Sequence, residues 1–174
     1  MITIVSATNR KESNTLKVAN EYLRMLQIKK IDAQILNMED IPASIALAEI
    51  YDVPNPEFEE FQEKYLLSAD KFIFILPEYN GSMPGILKLM IDVADIKRAF
   101  YGKKALLVGV ATGRAGNLRG MDHLTGVLNH MKMPVHWNKL PISKVSNEFN
   151  AENKFQNAIT LKVVEQQIDE FITF

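Results

Sequence analysis

Phe72-Ile73-Phe74-Ile75-Leu76, followed by Pro77-Glu78-Tyr79-Asn80-Gly81-Ser82-Met83-Pro84-Gly85-Ile86-Leu87-Lys88, is the stretch on which the fold turns. The five apolar residues read as a strand buried on both faces, as in a parallel sheet. Asn80, Gly81 and Ser82 are turn formers. Pro84 suits the opening of a helix, where a missing N–H has no intrahelical partner to lose. The order is strand, polar loop, helix. In an open α/β sheet, a loop of this kind at the carboxyl end of a parallel strand is where ligands are held. Its backbone amides suit the edge of a planar, hydrogen-bonding ligand.

The same order recurs on both sides. Ile2-Thr3-Ile4-Val5 is a short β-branched run, followed by a polar loop over residues 6–15. Leu16, Ala19, Leu23 and Leu26 then recur at helical spacing, with Val18, Tyr22 and Met25 widening the face. Ser13 or Asn14 is the expected N-cap. Ala33-Gln34-Ile35-Leu36 reads as a second strand. Residues 41–56 are irregular, cut by Pro42, Pro54 and Pro56, and long enough for a functional or interface loop. A helix is expected over 57–67. Downstream, Ala105-Leu106-Leu107-Val108-Gly109-Val110 is a fourth strand. Residues 118–131 form a helix with Leu124, Val127, Leu128 and Met131 toward the core. Met133-Pro134-Val135-His136-Trp137 is the expected fifth strand. Phe155, Ile159, Val163, Ile168 and Phe171 share one face of a C-terminal helix.

This alternation predicts an α/β three-layer sandwich with helices on both faces of a five-stranded parallel sheet. The simplest strand order with right-handed crossovers is the flavodoxin-like 2-1-3-4-5. The whole chain, 1–174, reads as one domain without repeats. Strands one, three and four are then neighbours, and the loops 6–15, 77–84 and 112–120 share one sheet edge. The first loop suits a phosphate. A helix start favours an anion; Thr8, Ser13 and Thr15 add hydroxyls, Asn14 an amide, and Arg10 a permanent charge. It has neither a Gly-Lys-Ser/Thr ending nor G-x-G-x-x-G, so it fits a monophosphate rather than a pyrophosphate. The plainer alternative is a helix cap with ordinary turn residues. Thr112-Gly113-Arg114-Ala115-Gly116-Asn117 can form an amide nest.

Composition narrows the classes. Hydrophobic residues make up 47% of 174, enough for a substantial core. Lys plus Arg is 20 against 21 Asp plus Glu, a net charge of -1, so no global basic field draws nucleic acid or an anionic membrane. Cysteine is absent, which excludes disulfides, thiolate metal sites and cysteine catalysis. His123, His130 and His136 lack ligand spacing, so no metal is expected. No signal peptide is read at Met1-Ile2-Thr3-Ile4-Val5, and no apolar run reaches the roughly 20 residues of a membrane span. A soluble cytoplasmic protein is expected.

The stretch from Pro77 to Lys88 resembles the signature loop of the NADPH-dependent FMN reductases, the flavodoxin-like family of flavin, quinone, azo and chromate reductases. The first loop is similar to that family's Gly-Ser-x-Arg-x-x-Ser-x-Asn. Arg10 and Ser13 match, with Ala7 in place of Gly, Thr8 in place of Ser and Thr15 in place of Asn. The resemblance implies FMN as cofactor, NADPH or NADH as reductant, and a small acceptor such as a flavin, quinone, azo compound or metal oxyanion. It implies that backbone groups of Glu78, Tyr79, Asn80 and Gly81 approach the isoalloxazine edge, with Pro77 and Tyr79 near the ring. The glycine-containing loop bearing Thr112, Gly113, Arg114 and Gly116 would complete the site. Arg114 would stabilise charge on the reduced flavin or meet nucleotide phosphates; a solvated loop charge is the alternative. The cofactor carries the hydride chemistry, so no side chain is named catalytic, and Glu78 is read as a solvated or interface carboxylate. The resemblance also implies a homodimer or homotetramer. The apolar run of Ile86, Leu87, Met90 and Ile91, and the Ile45-Ala46-Leu47 segment, agree with that. Two other classes stay open: a flavodoxin-like electron carrier, which near-neutral charge disfavours, and a flavin-free scaffold or regulator.

Overall fold

The structure is a computed structural model that describes residues 1–174, with the side chains of all but Ala48. Five parallel strands run in the order β2-β1-β3-β4-β5. They are β1 (Ile2–Ser6), β2 (Ala33–Asn37), β3 (Lys71–Pro77), β4 (Lys104–Val110) and β5 (Leu140–Ile142). The helices are α1 (Asn14–Ile28), α2 (Pro56–Gln62), α3 (Gly85–Val93), α4 (Ile96–Ala99), α5 (Leu118–His130) and α6 (Ala158–Thr173). Strand β3 is paired on both sides, to β1 and β4. Its residues alternate between two cores, as the pleat requires. Phe72, Phe74 and Leu76 join α2, α3 and α5 through Phe61, Leu87, Met90 and Leu124. Ile73 and Ile75 join α1 and α6 through Val18, Tyr22, Val164, Ile168 and Phe171. Each such side chain, taken fully out of water, stabilises the fold by about 1.5–3 kcal/mol.

Helix α1 starts where its cap requires. Ser13 Oγ accepts from Leu16 N–H at 3.1 Å, and Val18, Ala19, Tyr22, Met25 and Leu26 are the buried face. The expected helix over 57–67 is α2 followed by a π turn at Glu63–Leu67. Residues 41–56 contain two short 3-10 turns, Ala43–Ala46 and Ala48–Tyr51. On α3, Leu87, Met90 and Ile91 are buried within the chain and Ile86 only partly exposed. The chain itself therefore absorbs most of the apolar surface that the sequence offered to a partner.

The fifth strand differs from expectation. Within residues 133–137 only Val135 pairs, in a single bridge to Ala105. His136 N–H donates to Ala105 at 2.8 Å and Ala105 N–H donates to Pro134 at 2.9 Å. The chain then leaves the sheet and returns at Leu140–Ile142 beside Val108–Val110. An edge strand interrupted by prolines tolerates such a break, because one side needs no ladder. His136 packs between Phe171 and Phe174, while Trp137 is 73% exposed. The C-terminal helix also starts later than the apolar spacing implied. Asn157 caps it at Ile159 N–H, leaving Ile159 exposed. Phe155 precedes the helix and stacks on Phe149 at 5.1 Å. The backbone N–H of Phe155 donates to the buried Glu21 carboxylate at 3.0 Å, which also receives Arg24 at 2.8 and 3.0 Å.

Candidate active site

The loops after β1, β3 and β4 meet at one cleft of about 800 Å³, within the common range for small-molecule and cofactor sites. From the first loop Thr8, Arg10, Ser13, Asn14 and Thr15 line it. From the second come Pro77, Glu78, Tyr79, Asn80 and Gly81, and from the third Thr112, Gly113 and Arg114. Gly116 was expected there and is not among the lining residues. It is buried at φ +55, and a Cβ on it would lie 2.6 Å from Pro141 Cβ. Its task is packing, and it draws the third loop down onto Pro141 of β5.

Each loop presents backbone donors. In the first, Thr8 N–H donates to Ser6 and Arg10 N–H to Thr8 Oγ1 at 3.2 Å. The N–H groups of Asn14 and Thr15, the first two of α1, donate to no protein acceptor among the described residues. They are the unpaired amides that any helix start leaves over, at its partly positive end. The Arg10 guanidinium is exposed and forms no ion pair among the described residues.

In the second loop, Tyr79 and Ser82 exchange backbone hydrogen bonds at 3.0 Å in each direction. Asn80 (φ +53) and Gly81 (φ +74) sit between them, the pattern of a type I′ turn. That turn ties up the Tyr79 N–H, and Glu78 N–H donates to Val110 at 3.3 Å. Of the four backbone groups expected to face a ring edge, only Asn80 and Gly81 keep an unengaged N–H among the described residues. Ser82 Oγ lies 2.8 Å from His123 Nδ1, which fixes the outer side of the turn to α5.

The third loop is held by its carbonyls. Gly113 accepts from Lys144 N–H at 2.9 Å, Ala111 from Val145 N–H at 3.1 Å, and Arg114 from Ser143 Oγ at 2.7 Å. The N–H groups of Thr112, Gly113, Arg114 and Ala115 donate to no protein acceptor among the described residues. Asn117 clamps the far end. It is buried at φ +63, donates from Nδ2 to Leu76 at 3.0 Å and accepts Gly120 N–H at 3.1 Å. It thereby joins the third loop to the end of β3.

Sequence reasoning missed the Asn117 clamp, the His123 contact and the contribution of Val145 to the cleft wall. Asn117 carried a readable signal, since Asn tolerates left-handed backbone and caps helices. Val145 did not, because the displaced fifth strand hid the loop that follows it.

Sequence comparison bears on the same three loops. The family model for NADPH-dependent FMN reductase matches residues 1–146, which contain all of them. The chain belongs to this family. Within that group it is 32% identical over 139 residues to an NAD(P)H-dependent FMN reductase of Pseudomonas aeruginosa, covering 72% of this chain and 75% of the relative. A quinone reductase of Pseudomonas putida is 31% identical over 125 residues, 70% of this chain and 65% of that one. Among solved structures, the flavoenzyme NAD(P)H:acceptor oxidoreductase of Paracoccus denitrificans superposes with a TM-score of 0.84. It covers 99% of this chain and 94% of its own at 19% identity, a likeness of fold. The fold is thus shared over almost the whole length of the chain.

Proposed function

We propose that the cleft binds FMN, with the phosphate in the first loop and the ring between the second and third. Membership of the family makes the chain an FMN-dependent oxidoreductase that takes its electrons from NAD(P)H. One observation supports the placement above all: unpaired backbone N–H groups from three separate loops converge on one cleft. The donor set fits the cofactor. The start of α1, Thr8 and Arg10 suit a dianionic monophosphate, while Asn80, Gly81 and the amides of residues 112–115 suit the carbonyl and nitrogen edge of a flavin ring. Bound there, FMN supplies the hydride chemistry. The protein's part is to bind and orient it and to leave one face of the ring open. Arg114, exposed and without an ion-pair partner among the described residues, is placed to favour a reduced, anionic ring or the phosphates of the nicotinamide nucleotide.

An open site of this kind serves acceptors in turn after the nucleotide has left, and quinones and free flavins are the first to test. We place the protein in the cytoplasm as a homodimer or homotetramer; among the described residues no helix is long and apolar enough to cross a membrane. Reconstitution with FMN followed by gel filtration should give a yellow protein with stoichiometric flavin. Steady-state oxidation of NADH and NADPH with a quinone should then require that flavin. A protein that stays colourless in excess FMN would exclude the reading. One that holds FMN but turns over neither nucleotide would be an electron carrier.

A further inference from the structure

Between β5 and α6 the chain forms an irregular strap, residues 143–157, that opens with the 3-10 turn Val145–Asn147. Its first residues grip the third loop: Ser143 Oγ, Lys144 N–H and Val145 N–H donate to the carbonyls of Arg114, Gly113 and Ala111. The rest of the strap is tied to itself. Glu148 N–H donates to Val145 at 3.0 Å and Gln156 N–H to Glu148 at 2.9 Å, while Phe149 and Phe155 pair in an isolated bridge. Among the described residues, one hydrogen bond runs from residues 146–157 to an element other than α6. It is the donation from Phe155 N–H to Glu21 on α1. Glu21 is 3% exposed, a rare place for a carboxylate. Burial pushes its carboxyl up, but Arg24 and the Phe155 N–H outweigh burial and hold it below its ordinary value. It is charged at neutral pH, and a charged acceptor makes the stronger hydrogen bond. An apolar residue of the same size would pack on this face of α1 without the cost of desolvating a charge. The carboxylate is explained by the amide it holds.

We infer that Glu21, which does not line the cleft, is a positioning residue for the third loop and acts on it through the strap. It pins Phe155 to α1 and with it the paired Glu148–Gln156 segment. Ser143, Lys144 and Val145 then grip the loop in one arrangement, and the amides of residues 112–115 keep theirs. The effect on flavin affinity rests on the FMN reading of the cleft; the anchoring of the strap does not.

Two measurements on the full chain test this: hydrogen exchange at the Lys144 and Val145 amides without flavin, and the FMN dissociation constant by fluorescence quenching. Glu21→Met keeps the volume and the helix propensity but removes the acceptor. It should speed exchange at both amides and raise the dissociation constant about twofold to thirtyfold, the range for residues that act through a network of contacts. Glu21→Gln retains an acceptor for the Phe155 N–H and should stay closer to wild type on both counts. Leu26→Ala, farther along α1 and likewise buried, should lower the melting temperature while moving neither readout. An equal rise of the dissociation constant in Leu26→Ala would reduce the effect to general stability and overturn the inference. So would unchanged exchange at Lys144 and Val145 in Glu21→Met, or faster exchange with an unchanged dissociation constant. A wild-type chain that binds no FMN would overturn the proposed function, and the exchange data would then decide alone whether Glu21 holds the strap to the third loop.

Discussion

Arg10 and Gly81 divide the work of the cleft between charge and backbone shape. Arg10 is exposed, without an ion pair among the described residues and next to a helix start whose first amides are open. Arg10→Ala should cost about 1.5–3 kcal/mol of FMN binding, a tenfold to hundredfold rise in dissociation constant. It should leave the melting temperature almost unchanged, because no folded-state contact is lost. An unaltered dissociation constant would remove Arg10 from the site. Gly81 has room for a side chain, since a Cβ there would meet only Arg119 Nη1 at 3.8 Å, but its φ of +74 is the obstacle. Gly81→Val should deform the turn that presents the Asn80 and Gly81 amides, because a β-branched residue resists positive φ. Flavin affinity should fall by more than fold stability does. If the folded variant keeps full FMN occupancy, the turn is structural and the ring edge lies elsewhere.

At the scale of elements, the site was legible because two of its three loops follow the strands whose apolar runs were longest. Runs such as 72–76 and 105–110 have few readings other than central strands, so the three loops fell on one edge once the order was deduced. All the residues assigned to the cleft line it except Gly116, whose role depends on the proximity of Pro141. Contacts of that kind lie beyond local pattern, as does the break between Val135 and β5. That break has a measurable consequence through His136. Burial against Phe171 and Phe174 lowers its pKa from the ordinary 6.5, with Lys71 adding to the effect and Glu170 and the Asn138 N–H opposing it. The folded chain thus holds His136 neutral to lower pH than the unfolded chain does. Its stabilising contribution is complete above about 6.5 and is lost as pH falls toward the folded pKa. Melting temperature should accordingly drop as pH falls below the ordinary histidine value, and His136→Phe should flatten that drop. A slope unchanged by the substitution would put the pH dependence elsewhere.

For the whole molecule, the open question is what meets the segment 41–56. Leu47, Tyr51 and Val53 are 58%, 63% and 57% exposed there, while the neighbouring 3-10 turn Ala43–Ala46 packs against α3 through the buried Ile45. Clustered apolar exposure of this kind marks contacts between chains, and two-fold dimers are the commonest closed assemblies. Sedimentation at micromolar concentration should show a species of at least twice 19.7 kDa. Replacing Leu47 and Tyr51 with lysine should shift it to monomer. A single monomer species in the wild type would refute the assembly and leave the cleft complete within one chain.

The donors in the cleft are mostly peptide groups, and this bears on how the protein can change over time. A peptide amide survives replacement of the side chain that it carries, so drift at Thr112 or Arg114 need not empty the site. What cannot drift is the interlock beneath it. A Cβ on Gly109 would lie 2.0 Å from the carbonyl oxygen of Gly116, and one on Gly120 would lie 2.2 Å from Asn117 Oδ1. Selection can therefore retune the surface of the cleft one side chain at a time, while the curvature beneath is inherited intact. A library aimed at new acceptors belongs at Thr112 and Arg114, with the three glycines held constant.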